Sequence, residues 1–202
     1  MTKTVVLGVT GSIAAYKAAD IVSKLKKRGV AVRVILTDAG AQFITPLTLE
    51  TLSSAPVARD MFKRETPWEV EHIALAKLAD AFVIAPASAD FISKAACGIA
   101  DDMLTTTLLA TRAPVLIAPA MNSNMYTSDV IQRNMETLKR RGYAFIDPSS
   151  GLLACGDTGV GRLADTDEIV EAILGALYQK RDLEGKRIIV TAGPTREKID
   201  PV

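Results

Sequence analysis

Six short runs of β-branched and apolar residues punctuate this chain, at 5–9, 31–37, 81–85, 114–118, 143–146 and 187–191. Each is close to continuously hydrophobic, the pattern of a strand covered on both faces. Between them lie segments with a helical period. Residues 12–28 carry Ile13, Tyr16, Lys17, Ala19, Val22 and Leu25 at helical spacing and stop at Gly29. Residues 127–141 repeat the design with Ile131, Met135 and Leu138, two arginines in the last turn and Gly142 as the stop. A further helix is predicted over 165–179, opened by Asp165, Thr166, Asp167 and Glu168. Strands and helices alternating in this way predict an α/β protein with a doubly wound parallel sheet and helices on both faces.

Composition narrows the class. Hydrophobic residues make up 49% of 202 and charged residues 23%, which supplies a sizeable core and argues against disorder. A net charge of +1 gives no global field toward nucleic acid or an anionic membrane, so neither is expected as a partner. The longest apolar stretch, 103–121, is broken by Arg112 and Pro114, short of the roughly 18–20 residues of a bilayer span. The apolar run behind Met1, Thr2 and Lys3 is too short for a signal-peptide core. Two cysteines, Cys97 and Cys155, form no disulfide framework, and a single histidine excludes a His-rich metal site. A cytoplasmic, reduced, metal-free, small-ligand protein is expected.

Two segments break the rhythm. Residues 147–163 hold four glycines, one cysteine and almost no apolar periodicity, which predicts a long functional loop. Residues 180–186 are polar and read as a linker, after which 187–191 begins a new strand and the chain ends. The expected organisation is one domain over 1–180, with 181–202 as a linker and the truncated start of a second. The alternative is a sixth strand of the same sheet.

Open α/β sheets bind ligands beyond the carboxyl ends of their strands. Thr10, Gly11 and Ser12 follow the first run; Asp38, Ala39 and Gly40 the second. Beyond the third come Pro86, Ala87, Ser88, Ala89 and Asp90, and beyond the fourth Pro119, Ala120, Met121 and Asn122. Taken singly, Ser12, Ser88 and Asp90 read as N-caps. Together they describe one rim suited to a phosphate-bearing ligand. The first turn lacks G-x-G-x-x-G, although Asp38 stands where a ribose-binding acid would, and no P-loop occurs. Flavin mononucleotide (FMN) fits better, because one helix start plus hydroxyls holds its single phosphate at the switch point of a flavodoxin-like order. His72, among apolar neighbours, is ordinarily structural, yet it is the one side chain here that titrates naturally near neutrality. Cys155 lies in a glycine-rich setting with no packing role and suits a proton donor or nucleophile on a closing flap. Cys97, with apolar neighbours on a helix over 92–99, reads as core.

Five motifs in order then resemble one family. They are Gly11-Ser12-Ile13-Ala14-Ala15-Tyr16-Lys17, His72, Pro86-Ala87-Ser88-Ala89-Asp90, Pro119-Ala120-Met121-Asn122-Ser123-Asn124-Met125-Tyr126 and Ala154-Cys155-Gly156-Asp157. The chain resembles the homo-oligomeric flavin-containing cysteine decarboxylases over 4–179, and among them the N-terminal half of bacterial bifunctional members. The tail from Val190 to Glu197 resembles the opening of their ligase half. Tyr126 replaces a tryptophan of the family pattern, and Asp90 and Phe91 replace an asparagine and a threonine.

The resemblance implies FMN-dependent decarboxylation of 4′-phosphopantothenoylcysteine to 4′-phosphopantetheine in coenzyme A biosynthesis, through thioaldehyde and ene-thiol intermediates. It implies His72, Asn122 and Cys155 as catalytic residues, with Asn122, Met125, Ala154 and Cys155 at the substrate. For FMN it implies Thr10, Gly11, Ser12, Ile13, Thr37, Ser88, Ala89, Asp90, Phe91, Met103, Leu104, Thr105 and Ala120. It also implies trimers, or dodecamers built from them, with sites between subunits. The segment 60–68, bearing Met61, Phe62 and Trp68, is the sequence's own candidate for packing on a neighbour. A flavin-binding regulatory subunit and a peptidyl-cysteine decarboxylase are the alternatives. The former fits poorly because all three catalytic positions are filled, the latter because of the ligase-like tail.

Overall fold

The computed structural model describes residues 2–62, 70–152, 156, 158–178, 187, 189, 190 and 193. Alternation gives β1 (Thr4–Val9), α1 (Ala18–Lys27), β2 (Ala31–Leu36), α2 (Pro46–Ser53), β3 (Val57–Ala58), α3 (Glu71–Leu78) and β4 (Ala81–Ala87). There follow α4 (Ala89–Cys97), α5 (Met103–Ala110), β5 (Val115–Pro119), α6 (Ser123–Thr127), α7 (Asp129–Arg140) and β6 (Ala144–Phe145). A ribbon of β7 (Ser149–Leu152) and β8 (Thr158–Arg162) then precedes α8 (Thr166–Leu177).

The sheet is parallel throughout, in the order β3-β2-β1-β4-β5-β6. Without the two-residue β3 this is the flavodoxin order, as expected. Every residue of β1, β4 and β5 is buried, which explains their unbroken hydrophobicity. Successive side chains of a strand point to opposite faces. Val5, Leu7 and Val9 therefore meet Ile21, Val22 and Leu25 of α1 and Ile169 and Ile173 of α8. Val6, Ile35, Phe82 and Ile84 meet Leu75 of α3, Ile92 of α4, Leu104 of α5 and Met135 of α7. Gly8 is small because Leu104 fills its place: an added Cβ would stand 2.4 Å from Leu104 Cδ1.

Helix boundaries follow local chemistry. Ser128 accepts from Ile131 N to open α7, whose Ile131, Met135 and Leu138 face the core, and Gly142 ends it at φ 90°. The predicted helix over 12–28 is a 3₁₀ turn, Ile13–Lys17, running into α1.

Three expectations need correcting. The 147–163 segment is not simply a loop, since β7 and β8 pair antiparallel within it. Cys97 is exposed, because the buried stripe of α4 runs through Phe91, Ile92, Ala95 and Ala96 and leaves position 97 outside. Of the strand predicted at 187–191, Arg187, Ile189 and Val190 are described; none is in a strand, and Ile189 and Val190 are about four-fifths exposed (82% and 83%).

Candidate functional site

The chain leaves β1 for β2 on one side and leaves β4 for β5 on the other, so the carboxyl ends of β1 and β4 flank the crevice. Thr10 ties these ends together. Its buried hydroxyl donates to Pro86 O (2.7 Å) and accepts from Ser88 N (2.8 Å), while Thr10 N also donates to Pro86 O (3.3 Å). Ala120 N donates to Ala87 O (3.0 Å), joining β5 to the same rim. Ser12 then caps the 3₁₀ turn by accepting from Ala14 N, and Ser88 caps α4 by accepting from Phe91 N, each at 3.3 Å.

A cavity of about 650 Å³ opens between these helix starts. Of the residues predicted for a cofactor, Gly11, Ser12, Ile13, Ser88, Ala89 and Ala120 line it. Asn122 and Met125, predicted for the substrate, line it as well. Asn122 also caps α6, its Oδ1 accepting from Asn124 N at 2.8 Å. Gly11 lies close against the 38–40 turn, where an added Cβ would stand 2.6 Å from Ala39 Cβ.

The flap closes one side. Met121 N donates to Gly161 O (2.9 Å), and a Cβ on Gly161 would fall 2.3 Å from Met121 O. The β8 backbone thus rests directly on the loop that carries Asn122. Lys17 from the 3₁₀ turn and Arg162 from β8 bring positive charge to the lining. Burial, reinforced by Arg162, holds the Lys17 ammonium below its usual pKa, and Asp165 opposes the shift.

Other predicted residues lie elsewhere. Thr37 is occupied within its own turn, accepting from Gly40 N (3.0 Å) and donating to Val9 O (3.3 Å). Asp90 is exposed and paired with Lys94 at 3.5 Å, while Phe91 and Leu104 belong to the core. Thr105 completes a capping box with Asp102. Met103 borders a second cavity of about 700 Å³ beyond β2 and β3, together with Asp38 and Glu71. His72 sits in the first turn of α3, away from the 650 Å³ cavity, and its buried Nδ1 has no hydrogen-bond partner among the described residues. Ala154 and Cys155 lie outside the described residues, as does Trp68. Tyr16, Lys17, Phe43, Gly161 and Arg162 line the cavity without having been singled out for it from sequence. The signal was present for Arg162, the one cation in a glycine-rich stretch.

The lining matches a mononucleotide carrying a flat ring. Ile13, Phe43, Met121 and Met125 give apolar walls, and the two serine-capped helix starts give N–H groups and hydroxyls for a phosphate. Fold and cavity together define a doubly wound α/β protein that takes such a ligand at its switch point. The chain belongs to the flavoprotein family, whose model matches residues 1–178; the model of the DNA/pantothenate metabolism flavoprotein C-terminal domain matches 183–202. The chain is 48% identical over 200 residues to the coenzyme A biosynthesis bifunctional protein CoaBC of Haemophilus influenzae. It is 49% identical over 202 residues to that of Bacillus subtilis. It spans about half (50%) of the length of these curated relatives.

Among solved structures it is similar to the FMN-dependent cysteine decarboxylase SpaF, with TM-score 0.76 and 32% identity over 87% of this chain and 98% of that one. It is also similar to a PPC decarboxylase mutant complexed with pantothenoylaminoethenethiol, with TM-score 0.77 and 29% identity over 86% and 97%.

Proposed function

We propose that this chain catalyses the FMN-dependent decarboxylation of 4′-phosphopantothenoylcysteine to 4′-phosphopantetheine in coenzyme A biosynthesis, in the cytoplasm. Residues 1–180 form the decarboxylase domain, and 181–202 are the linker and first residues of a ligase domain belonging to the longer parent protein. The observation that carries this reading is the cavity at the β1/β4 switch point, where two serine-capped helix starts face Asn122 and Met125 beneath a glycine-docked flap.

FMN, when bound, would supply the two-electron redox chemistry that interconverting the substrate thiol and a thioaldehyde requires. Ser12, Ser88 and the adjoining backbone N–H groups would hold its phosphate, and Ile13, Ala89 and Ala120 of the same lining would complete its site. Thr10 and Thr37 support that cradle from behind, through the hydrogen bonds described above. Asn122 orients the substrate carboxylate with a neutral amide, which does not over-stabilise the ground-state anion as a cation would. Cys155 delivers the proton that the ene-thiol carbon needs, and Ala154 belongs to the substrate site. The flap itself excludes water while the intermediates are present.

His72 acts in a neighbouring copy within a trimer-based assembly. Support comes from the face that α3 and α5 present. Val70, Ile73, Leu78 and Leu109 are exposed (56%, 37%, 48% and 54%) on or next to these two helices. Besides His72 Nδ1, the buried side-chain atoms without a hydrogen-bond partner among the described residues are Arg33 Nε, Thr106 Oγ1 and Ser123 Oγ, and of these Thr106 lies on α5 itself.

The direct experiment is mass spectrometry of 4′-phosphopantothenoylcysteine incubated with the flavin-loaded chain. Loss of carbon dioxide to give 4′-phosphopantetheine is expected. Unchanged substrate with flavin bound and the oligomer intact would overturn the reading.

A further inference from the structure

Two cations line the 650 Å³ cavity, Lys17 from the 3₁₀ turn and Arg162 from β8. Among the described residues neither forms an ion pair, whereas Lys24, Arg28, Arg59 and Lys94 all do. Asp165 is the carboxylate whose field reaches Lys17, and its side chain is occupied in capping α8 through Asp167 N (2.8 Å). Two like charges sharing a lining repel one another, so their convergence is unfavourable until an anion lies between them.

Their placement is built into the backbone. Lys17 closes the five-residue 3₁₀ turn that begins after Ser12. At roughly 2 Å rise per residue it therefore stands about 10 Å along the axis from the Ser12 cap. Arg162 follows Gly161, whose contact with Met121 O sets where β8 crosses the loop. The cavity thus has serine-capped helix starts near the sheet and two further cationic residues, Lys17 and Arg162, in its lining.

We propose that Lys17 and Arg162 form a subsite for a phosphate monoester, the phosphate at the far end of the substrate, separate from the helix starts that take the flavin phosphate. An ammonium and a planar guanidinium complement a dianionic phosphate better than a single carboxylate. The identity of the ester rests on the decarboxylase reading given above.

The test measures equilibrium binding, so it does not depend on turnover. Calorimetry on the flavin-loaded chain compares 4′-phosphopantetheine with pantetheine for the wild type, Lys17→Gln, Arg162→Gln and the double variant. Removing one charged hydrogen-bond partner should reduce the preference for the phosphorylated ligand about tenfold or more, and the double variant should bring it close to unity. Bound FMN, read from its visible absorbance after gel filtration, should stay with every variant. A wild type without preference would overturn the proposal, as would a preference that survives in the double variant. Loss of FMN from the variants with the preference intact would assign the pair to the flavin phosphate instead and equally overturn it. Wild-type turnover of 4′-phosphopantothenoylcysteine, assayed in parallel, reports on the decarboxylase reading independently.

Discussion

Replacing Gly161 with alanine should detach the flap and leave the core intact. The new Cβ would stand 2.3 Å from Met121 O, a backbone atom that has no rotamer to yield, and Gly161 holds φ at +136°. Placing an L-residue in so sparsely populated a conformation costs about 1–3 kcal/mol. Relieving the clash also breaks the hydrogen bond from Met121 N to Gly161 O, about 1 kcal/mol more. The docking equilibrium should therefore shift by about 2–4 kcal/mol, some 30-fold to nearly 1,000-fold. Amide hydrogen exchange at Met121 reads this directly, because that N–H is protected only while Gly161 O covers it. Gly159→Ala should be milder, since its Cβ meets Ser123 Oγ at 2.3 Å and that side chain can turn away. Gly175→Ala is the control of opposite sign: it lies in α8 with nothing within 4 Å, so alanine should raise global stability by about 0.5–1 kcal/mol. Wild-type exchange at Met121 in Gly161→Ala would refute the steric reasoning.

Asn122→Asp should keep both fold and flavin, because aspartate caps a helix as well as asparagine does, yet lose decarboxylation through repulsion of the substrate carboxylate. Retained turnover, followed by mass spectrometry, would remove the amide from the mechanism. Gly8→Ala should destabilise the chain by about 1–3 kcal/mol through overpacking against Leu104, and Leu104→Ala should recover part of that loss in a double-mutant denaturation cycle. Hydrogen bonds from Lys3 Nζ and Thr4 N hold the Asp80 carboxyl below its ordinary value of 3.8. A depressed carboxylate contributes stability that is fully present above the ordinary value and lost as the pH falls through the lowered one. The melting-temperature gap between wild type and Asp80→Asn should accordingly be widest near neutrality and close on acidification, and a gap that grew with acid would contradict the assignment.

The central strands were legible because burial on both faces writes itself as uninterrupted hydrophobicity: β2 falls within its run read from sequence, and β1, β4 and β5 overlap theirs, each extending one or two residues past one end. Val57 and Ala58 of β3 are too few to show any period. The β7–β8 ribbon was hidden for another reason. It rests on the Met121–Ser123 loop through glycine backbone, so the contact that holds it requires the absence of side chains. Cys97 was misplaced by its apolar neighbours Ala95 and Ala96, which share the buried stripe of α4 that position 97 just misses. At the site, serine and glycine after β1 and β4 marked the helix starts correctly. Thr10 and Thr37 were read toward the ligand, whereas their hydroxyls are committed to backbone groups of the protein itself.

That commitment of Thr10 has a kinetic meaning. A hydroxyl that gives its proton to Pro86 and takes one from Ser88 fixes the spacing of two strand ends while the chain folds. The crevice between them is consequently a rigid socket of set width, and a ligand arriving there has its own water to shed but no wall to assemble. Capture then becomes a matter of diffusion and dehydration.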